Sequence, residues 1–295
     1  MTESIGLPRA GTPARSRKAL RNIPFPAIVG MVLLIVPAFV AIFAPWIMPH
    51  DPAAIDPSRA LIPPLPFEGS DPAYLLGTDN LGRDMLSRLI DGSRISLLVG
   101  VLGVVLAGTI GLAAGLLAGY YGRFVDAAIM RLVDALLAIP GILLILVILG
   151  VVKPGLTTLV VVLGLTNWVV YARQIRAEVL EIRERLFVEA AKNFGVSHTR
   201  ILLRHITPNV MPTFIVLSTL SVATIIITES SLSFLGLGVQ PPDVSWGLML
   251  TSGRDYITNA WWLSTLPGLA IAGTVLGILL LGDWLRDTLD PRLGV

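Results

Sequence analysis

Three histidines, His50, His198 and His205, and no cysteine make up the imidazole and thiol stock of this chain. The histidines fall in separate segments without HExxH spacing, which points away from a metal centre. No GxxxxGK[ST] run occurs, so a nucleotide's phosphates have no glycine-rich cradle here. A hydrolase working inside the membrane would need a nucleophile beside a base, and no long apolar run contains a histidine. The suggestive spacing lies elsewhere. Phe187, Glu189, Ala190, Ala191, Phe194 and Gly195, followed by Thr207 and Pro208, set one acid among small and aromatic side chains. This set offers no covalent chemistry; it places apolar and small side chains beside charged ones.

The elements that position this set can be read locally. Residues 172–185 are strongly charged and read as a helix extending an apolar span into water, with Glu181 and Arg185 in the favourable i,i+4 order. Gly195 should stop the next short helix in a left-handed conformation. Ser197 is placed to cap a second short helix over 198–206, and Thr207 and Pro208 to supply a cap and a first-turn proline for the next span. The segment around 178–208 is thus expected to be a small helix-turn-helix, with Phe187, Ala190, Ala191 and Phe194 as its knob.

Composition supplies the setting. Of 295 residues, 54% are hydrophobic and 14% charged, against roughly 25% charged in an average soluble domain. Six runs, 25–48, 95–118, 135–152, 156–172, 210–228 and 261–282, contain no Asp, Glu, Lys or Arg, and spanning a bilayer takes about 20 such residues. The fold class expected is an all-α integral membrane protein with six transmembrane helices, since a barrel would show short alternating segments instead. The first run is too long for a secretory signal and lacks a clean A-x-A site, so it reads as a retained anchor, kinked at Pro37. Among the 22 Lys and Arg, only Arg59, Arg83, Arg88, Arg94, Lys153 and Arg254 would lie outside if both termini are cytoplasmic. The positive-inside rule favours that orientation, and the basic residues read as topology determinants rather than a nucleic-acid surface. The organisation expected is a cytoplasmic tail (1–22), a first span with a periplasmic segment (23–94), a five-helix core (95–285) and a cytoplasmic C-terminus (286–295).

The outer segments carry further candidates. The first is proline-rich and should begin extended. Thr78 or Asp79 could then cap an amphipathic surface helix with apolar residues at 81, 85, 86, 89 and 90. Asp79, Arg83, Asp84 and Arg88 could meet an external protein or simply be the polar face of that helix. Small residues in the second span, including Gly111 and Gly115, suit tight helix packing, with a backbone-lined path as the alternative. Residues 229–260 are apolar but broken by Gly and Pro, and read as re-entrant or surface-lying, with Trp246, Trp261 and Trp262 at the outer interface. Glu229 could line a pathway or hold a structural partner. Arg131 and Asp134 are spaced for an ion pair, near Asp126.

Four ordered blocks carry a resemblance. Glu189, Ala190, Ala191, Gly195 and Pro208 fit the pattern EAA, three residues, G, nine residues, I-x-L-P, with His205 and Thr207 departing from its Ile and Leu. The stretches 76–84, 233–238 and 281–292 complete the set. The chain resembles the C-type permease subunit of dipeptide and oligopeptide ABC importers. That resemblance implies the type I ABC-importer permease fold in a bacterial cytoplasmic membrane, and a homologous second permease as heterodimer partner. It also implies two ATPase subunits that bind ATP and Mg, and an extracytoplasmic substrate-binding protein. No cofactor or metal is implied for this chain, which would be non-catalytic and would dock its EAA loop on the ATPases. Similar permeases carry nickel chelates, haem or glutathione. A secondary transporter or channel would be expected to place ionisable groups inside its spans, and these spans have none.

Overall fold

The computed structural model of the protein describes residues 24–289. The basic tail at 1–22 and the 290–292 end of the last block lie outside the described residues. Within them the chain is all-helical: α1 (Phe25–Ile47), α2 (Met85–Tyr121), α3 (Arg123–Leu137), α4 (Gly141–Val151), α5 (Leu156–Ile182), α6 (Leu186–Asn193), α7 (His198–Ile201), α8 (Thr207–Phe234), α9 (Trp246–Gly253) and α10 (Trp262–Leu289). Five helices are long and apolar enough to cross a membrane, and α3 with α4 makes a sixth span if the bent pair counts as one.

That third span is broken where an uninterrupted helix over 135–152 was expected. The axes of α3 and α4 differ by 83°. Pro140 has no amide hydrogen to donate and disfavours helical geometry at Ile139, so the helix stops and restarts. The ion pair expected between Arg131 and Asp134 does not form, and the neighbouring Asp126 pairs with another helix instead. It forms a bidentate pair with Arg176 of α5, through Nε to Oδ1 and through Nη2 to Oδ2 at 2.6 Å. This two-pronged bond pins α3 to α5. Asp126→Asn should destabilise the fold by about 1 kcal/mol, read as a lower unfolding midpoint in detergent. An unchanged midpoint would mean that α3 is held by packing alone.

The core is a seam between α2 and α5, the most extensive helix pair in the molecule. Gly111, Gly115 and Gly119 recur every four residues and lay one face of α2 onto α5. A Cβ at Gly115 would sit 2.8 Å from the Ala172 oxygen, and one at Gly119 2.7 Å from Val179 Cβ. Gly100 and Gly103 face Ile226 and Ile225 of α8 in the same manner. The small residues therefore serve close packing, not an open backbone-lined path. On the far side Gly30 of α1 and Gly277 of α10 admit each other's backbones.

The helix of the second span reaches further outward than the apolar run at 95–118, starting at Met85. Residues 78–84 form a turn closed by a Thr78–Asp84 bridge, and the true cap is Asp84, which accepts from the amides of Leu86 and Ser87. Of the expected surface helix only the part from Met85 onward is helical, and it forms the first turns of a single 37-residue helix that continues into the second span. Residues 236–260 fold back through α9 against α8 and α10, with Gly247 close to Ser230 Cα. Trp246 and Trp262 are buried there, their indoles donating to the Leu89 and Thr78 carbonyls at 2.9 and 3.1 Å, and only Trp261 is exposed. Of the three tryptophans expected at the outer interface, Trp246 and Trp262 are instead internal, and Trp261 alone is exposed.

Candidate functional site

The segment after α5 folds as two short turns around Gly195. Helix α6 ends in a Schellman arrangement: Gly195 N–H donates to the Lys192 carbonyl and Val196 N–H to that of Ala191. Gly195 has φ +71°, and a Cβ there would meet open space. The glycine is therefore required by backbone handedness, not by crowding. The expected bond from Arg185 to Glu181 forms at 2.8 Å.

Burial divides the segment into an anchored face and a free one. Val188 and Ala191, three residues apart, are buried with Ile201, Leu202 and Ile206 against Leu116 and Tyr120 of α2 and Ile175, Val179 and Ile182 of α5. Glu189 and Ala190 are exposed, Phe187 is 41% exposed and Phe194 87%. The free knob is thus Phe187, Glu189, Ala190 and Phe194. Ala191 leaves it, because its helical spacing from Val188 turns it inward.

The second half of the segment also departs from expectation. Helix α7, a π-helical stretch (Leu202–Ile206) and α8 run on as one 37-residue helix rather than as a short helix followed by a separate span. Ser197 stands at the N-terminus of α7 but makes no side-chain cap, and Thr207 donates from Oγ1 to the Leu202 carbonyl at 2.9 Å inside the helix. Pro208 sits, exposed, just after the π-helical stretch passes into α8, and its missing amide hydrogen leaves the continuous helix one backbone bond short there.

At the opposite end of α2 the first outer segment builds a buried polar cluster. Asp79, 2% exposed, accepts from the amides of Leu81 and Arg83 and from Arg83 Nε, and stands 3.5 Å from Arg88 Nε. Asp84 accepts from Ser87 Oγ at 2.6 Å and lies 3.3 Å from His50 Nδ1. Asp79, Asp84 and Arg88 are therefore internal struts, and of these charged residues only Arg83 keeps part of its side chain at the surface. Glu229 is likewise enclosed, at 0% exposure, and accepts from Ser233 Oγ at 2.7 Å and Ser230 Oγ at 3.4 Å. It holds the end of α8 in a serine-lined polar nest facing α9.

Sequence reasoning missed the ties that fix the knob to α2, Arg183 to the Gly119 carbonyl and Tyr120 to His198. They join residues 64 and 78 positions apart, a distance no local pattern spans. No group of three or more His, Cys, Asp or Glu among the described residues could hold a metal ion.

Comparison with known proteins fits this architecture. A family described as binding-protein-dependent transport system inner membrane component matches residues 111–295, and one described as N-terminal TM domain of oligopeptide transport permease C matches residues 26–64. The di/tripeptide transport system permease protein DppC of Pseudomonas aeruginosa is 44% identical over 267 residues, covering 90% of this chain and 88% of its own. The dipeptide transport system permease proteins DppC of Escherichia coli and Haemophilus influenzae are 44% and 39% identical, over 90% of this chain and 89% and 90% of theirs. Among solved structures, an inward-facing form of the MetNI methionine ABC transporter aligns with a TM-score of 0.57 at 20% identity, over 70% of this chain and 98% of that one. The chain belongs to the binding-protein-dependent transport system inner membrane component family, as a multi-pass inner-membrane permease with the type I ABC-importer fold.

Proposed function

We propose that this chain is one of two homologous permease subunits of an importer for dipeptides or short oligopeptides. Both termini face the cytoplasm, and two ATPase subunits bind ATP and Mg there. An extracytoplasmic binding protein delivers the cargo at the opposite end, where Arg83, of the expected contacts Asp79, Arg83 and Asp84, keeps part of its side chain exposed. The chain itself performs no covalent chemistry. Its work is mechanical: closure of the ATPases displaces the knob, and the helices behind it exchange two packings of similar energy.

The observation that carries this reading is the division of the α6 segment into a buried face welded to α2 and α5 and a free face. That free face shows Phe187 and Phe194 to water beside Glu189. Exposed aromatics on a rigid support are the anatomy of a docking anchor. The dipeptide assignment rests on the relatives, which bear that cargo in their names.

The test is reconstitution in liposomes with the second permease, both ATPases and the binding protein. Uptake of labelled alanylalanine should require ATP, and a cysteine at Phe194→Cys should cross-link to an ATPase subunit. Glu189→Ala should lower uptake about tenfold or more, as loss of a buried interfacial charge contact does, without moving the unfolding midpoint. Uptake driven by an ion gradient without the ATPases would refute the importer. Failure of the binding protein to bind alanylalanine, while binding a nickel chelate, haem or glutathione, would refute the cargo.

A further inference from the structure

The last turn of α2 is held from both sides of the knob. Before α6, Arg183 donates from Nη1 to the Gly119 carbonyl at 2.8 Å, satisfying one of the terminal carbonyls a helix leaves without a partner. After α6, the Tyr120 hydroxyl and Nδ1 of His198, the first residue of α7, are 2.8 Å apart. The Lys192 ammonium lies 6.0 Å from the Tyr120 ring centroid, and Tyr121 meets Tyr120 edge to face. The Tyr120 ring is buried among the apolar residues beneath the knob, and its hydroxyl reaches out to the exposed His198.

These contacts differ in kind. Val188, Ala191 and Ile201 rest on α2 and α5 through apolar surfaces, which are non-directional and can slide. The arginine bond completes a helix end. The Tyr120–His198 bond completes neither helix. It links one end of α2 to the start of α7 in a fixed direction. We propose that Tyr120 and His198 are positioning residues for transport: their bond makes α2 follow the knob, so that displacement by the ATPases moves the α2–α5 seam instead of being lost as slippage. This rests on the reading that the knob docks on the ATPases.

The test uses the complete importer in liposomes and reads alanylalanine taken up per ATP hydrolysed. Tyr120→Phe removes one hydroxyl and keeps the ring, its burial and its contact with Lys192. We expect continued ATP hydrolysis with the transport ratio lowered about fivefold, the scale of one hydrogen bond. His198→Leu should do the same, and the Tyr120→Phe/His198→Leu pair should be no worse than either alone. His198→Asn, which keeps a polar atom near the Nδ1 position, should recover most of the ratio. A Tyr120→Phe ratio equal to the parent's, or losses that add in the pair, would overturn the proposal. The Phe194→Cys cross-link is measured in every variant. Its absence in the parent refutes docking itself. Its loss only on Tyr120→Phe also overturns the proposal, since the bond would then be needed for assembly rather than for transmission.

Discussion

Asp79→Ala is expected to destabilise the protein by about 3 to 5 kcal/mol, the cost of breaking a buried ion pair by removing one partner. The size follows from what is left behind. Arg88 is 3% exposed, and Asp79 is the carboxylate within 4 Å of its guanidinium. Without that group, α2 would carry an uncompensated cation inside the outer cap. The amides of Leu81 and Arg83 would lose their acceptor as well. Asp79→Asn keeps an oxygen for those amides and should fall between the parent and alanine. The measurement is the temperature at which the detergent-solubilised protein loses its monodisperse elution peak. An Asp79→Ala peak as heat-resistant as the parent's would show that Arg88 finds another acceptor and that the cluster is not a strut.

Gly111→Val should prevent the α2–α5 seam from closing. A Cβ at Gly111 would fall 2.6 Å from the Trp168 carbonyl oxygen and within contact distance of Tyr171 Cβ. Both neighbours are backbone or the root of a side chain, so no rotamer change relieves the clash and the helices must separate. Overpacking of a fitted interface costs about 1 to 3 kcal/mol and occasionally more. Here the separation would be shared by Gly115 and Gly119 along the same face, so the upper end is expected, with most of the protein lost to aggregation during extraction. Gly150→Ala in α4 is the control, because a Cβ there meets nothing within 4 Å. That variant should be neutral or gain a few tenths of a kcal/mol from helix propensity. Equal behaviour of the two variants would remove the close-packing explanation of the glycines.

The parts of this fold legible in sequence were those set by local physics. Apolar length gave the positions of the membrane-crossing helices, although the third was broken at Pro140. The left-handed stop at Gly195 and the Glu181–Arg185 pair were readable because each depends on residues within one or two turns. What failed depended on which face a residue turns to its neighbours. Asp79 and Asp84 look like the polar side of a surface helix until the outer segment folds over them. Trp246 looks like an interfacial anchor until α9 carries it inward. The inward turn of Ala191 was within reach, since Val188 stands three residues before it on the same helical face. The Arg131–Asp134 pair fails and Asp126 pairs with Arg176 of α5, because the α5 packing decides what lies opposite α3.

Helix α2 runs 37 residues without a proline or a break, about 55 Å at 1.5 Å per residue, from the buried Asp79–Arg88 cluster to Tyr120 beside the knob. A stiff beam held at both tips cannot swing one tip without the other. If it pivots where the glycine seam grips it, widening at one mouth of the permease entails narrowing at the other.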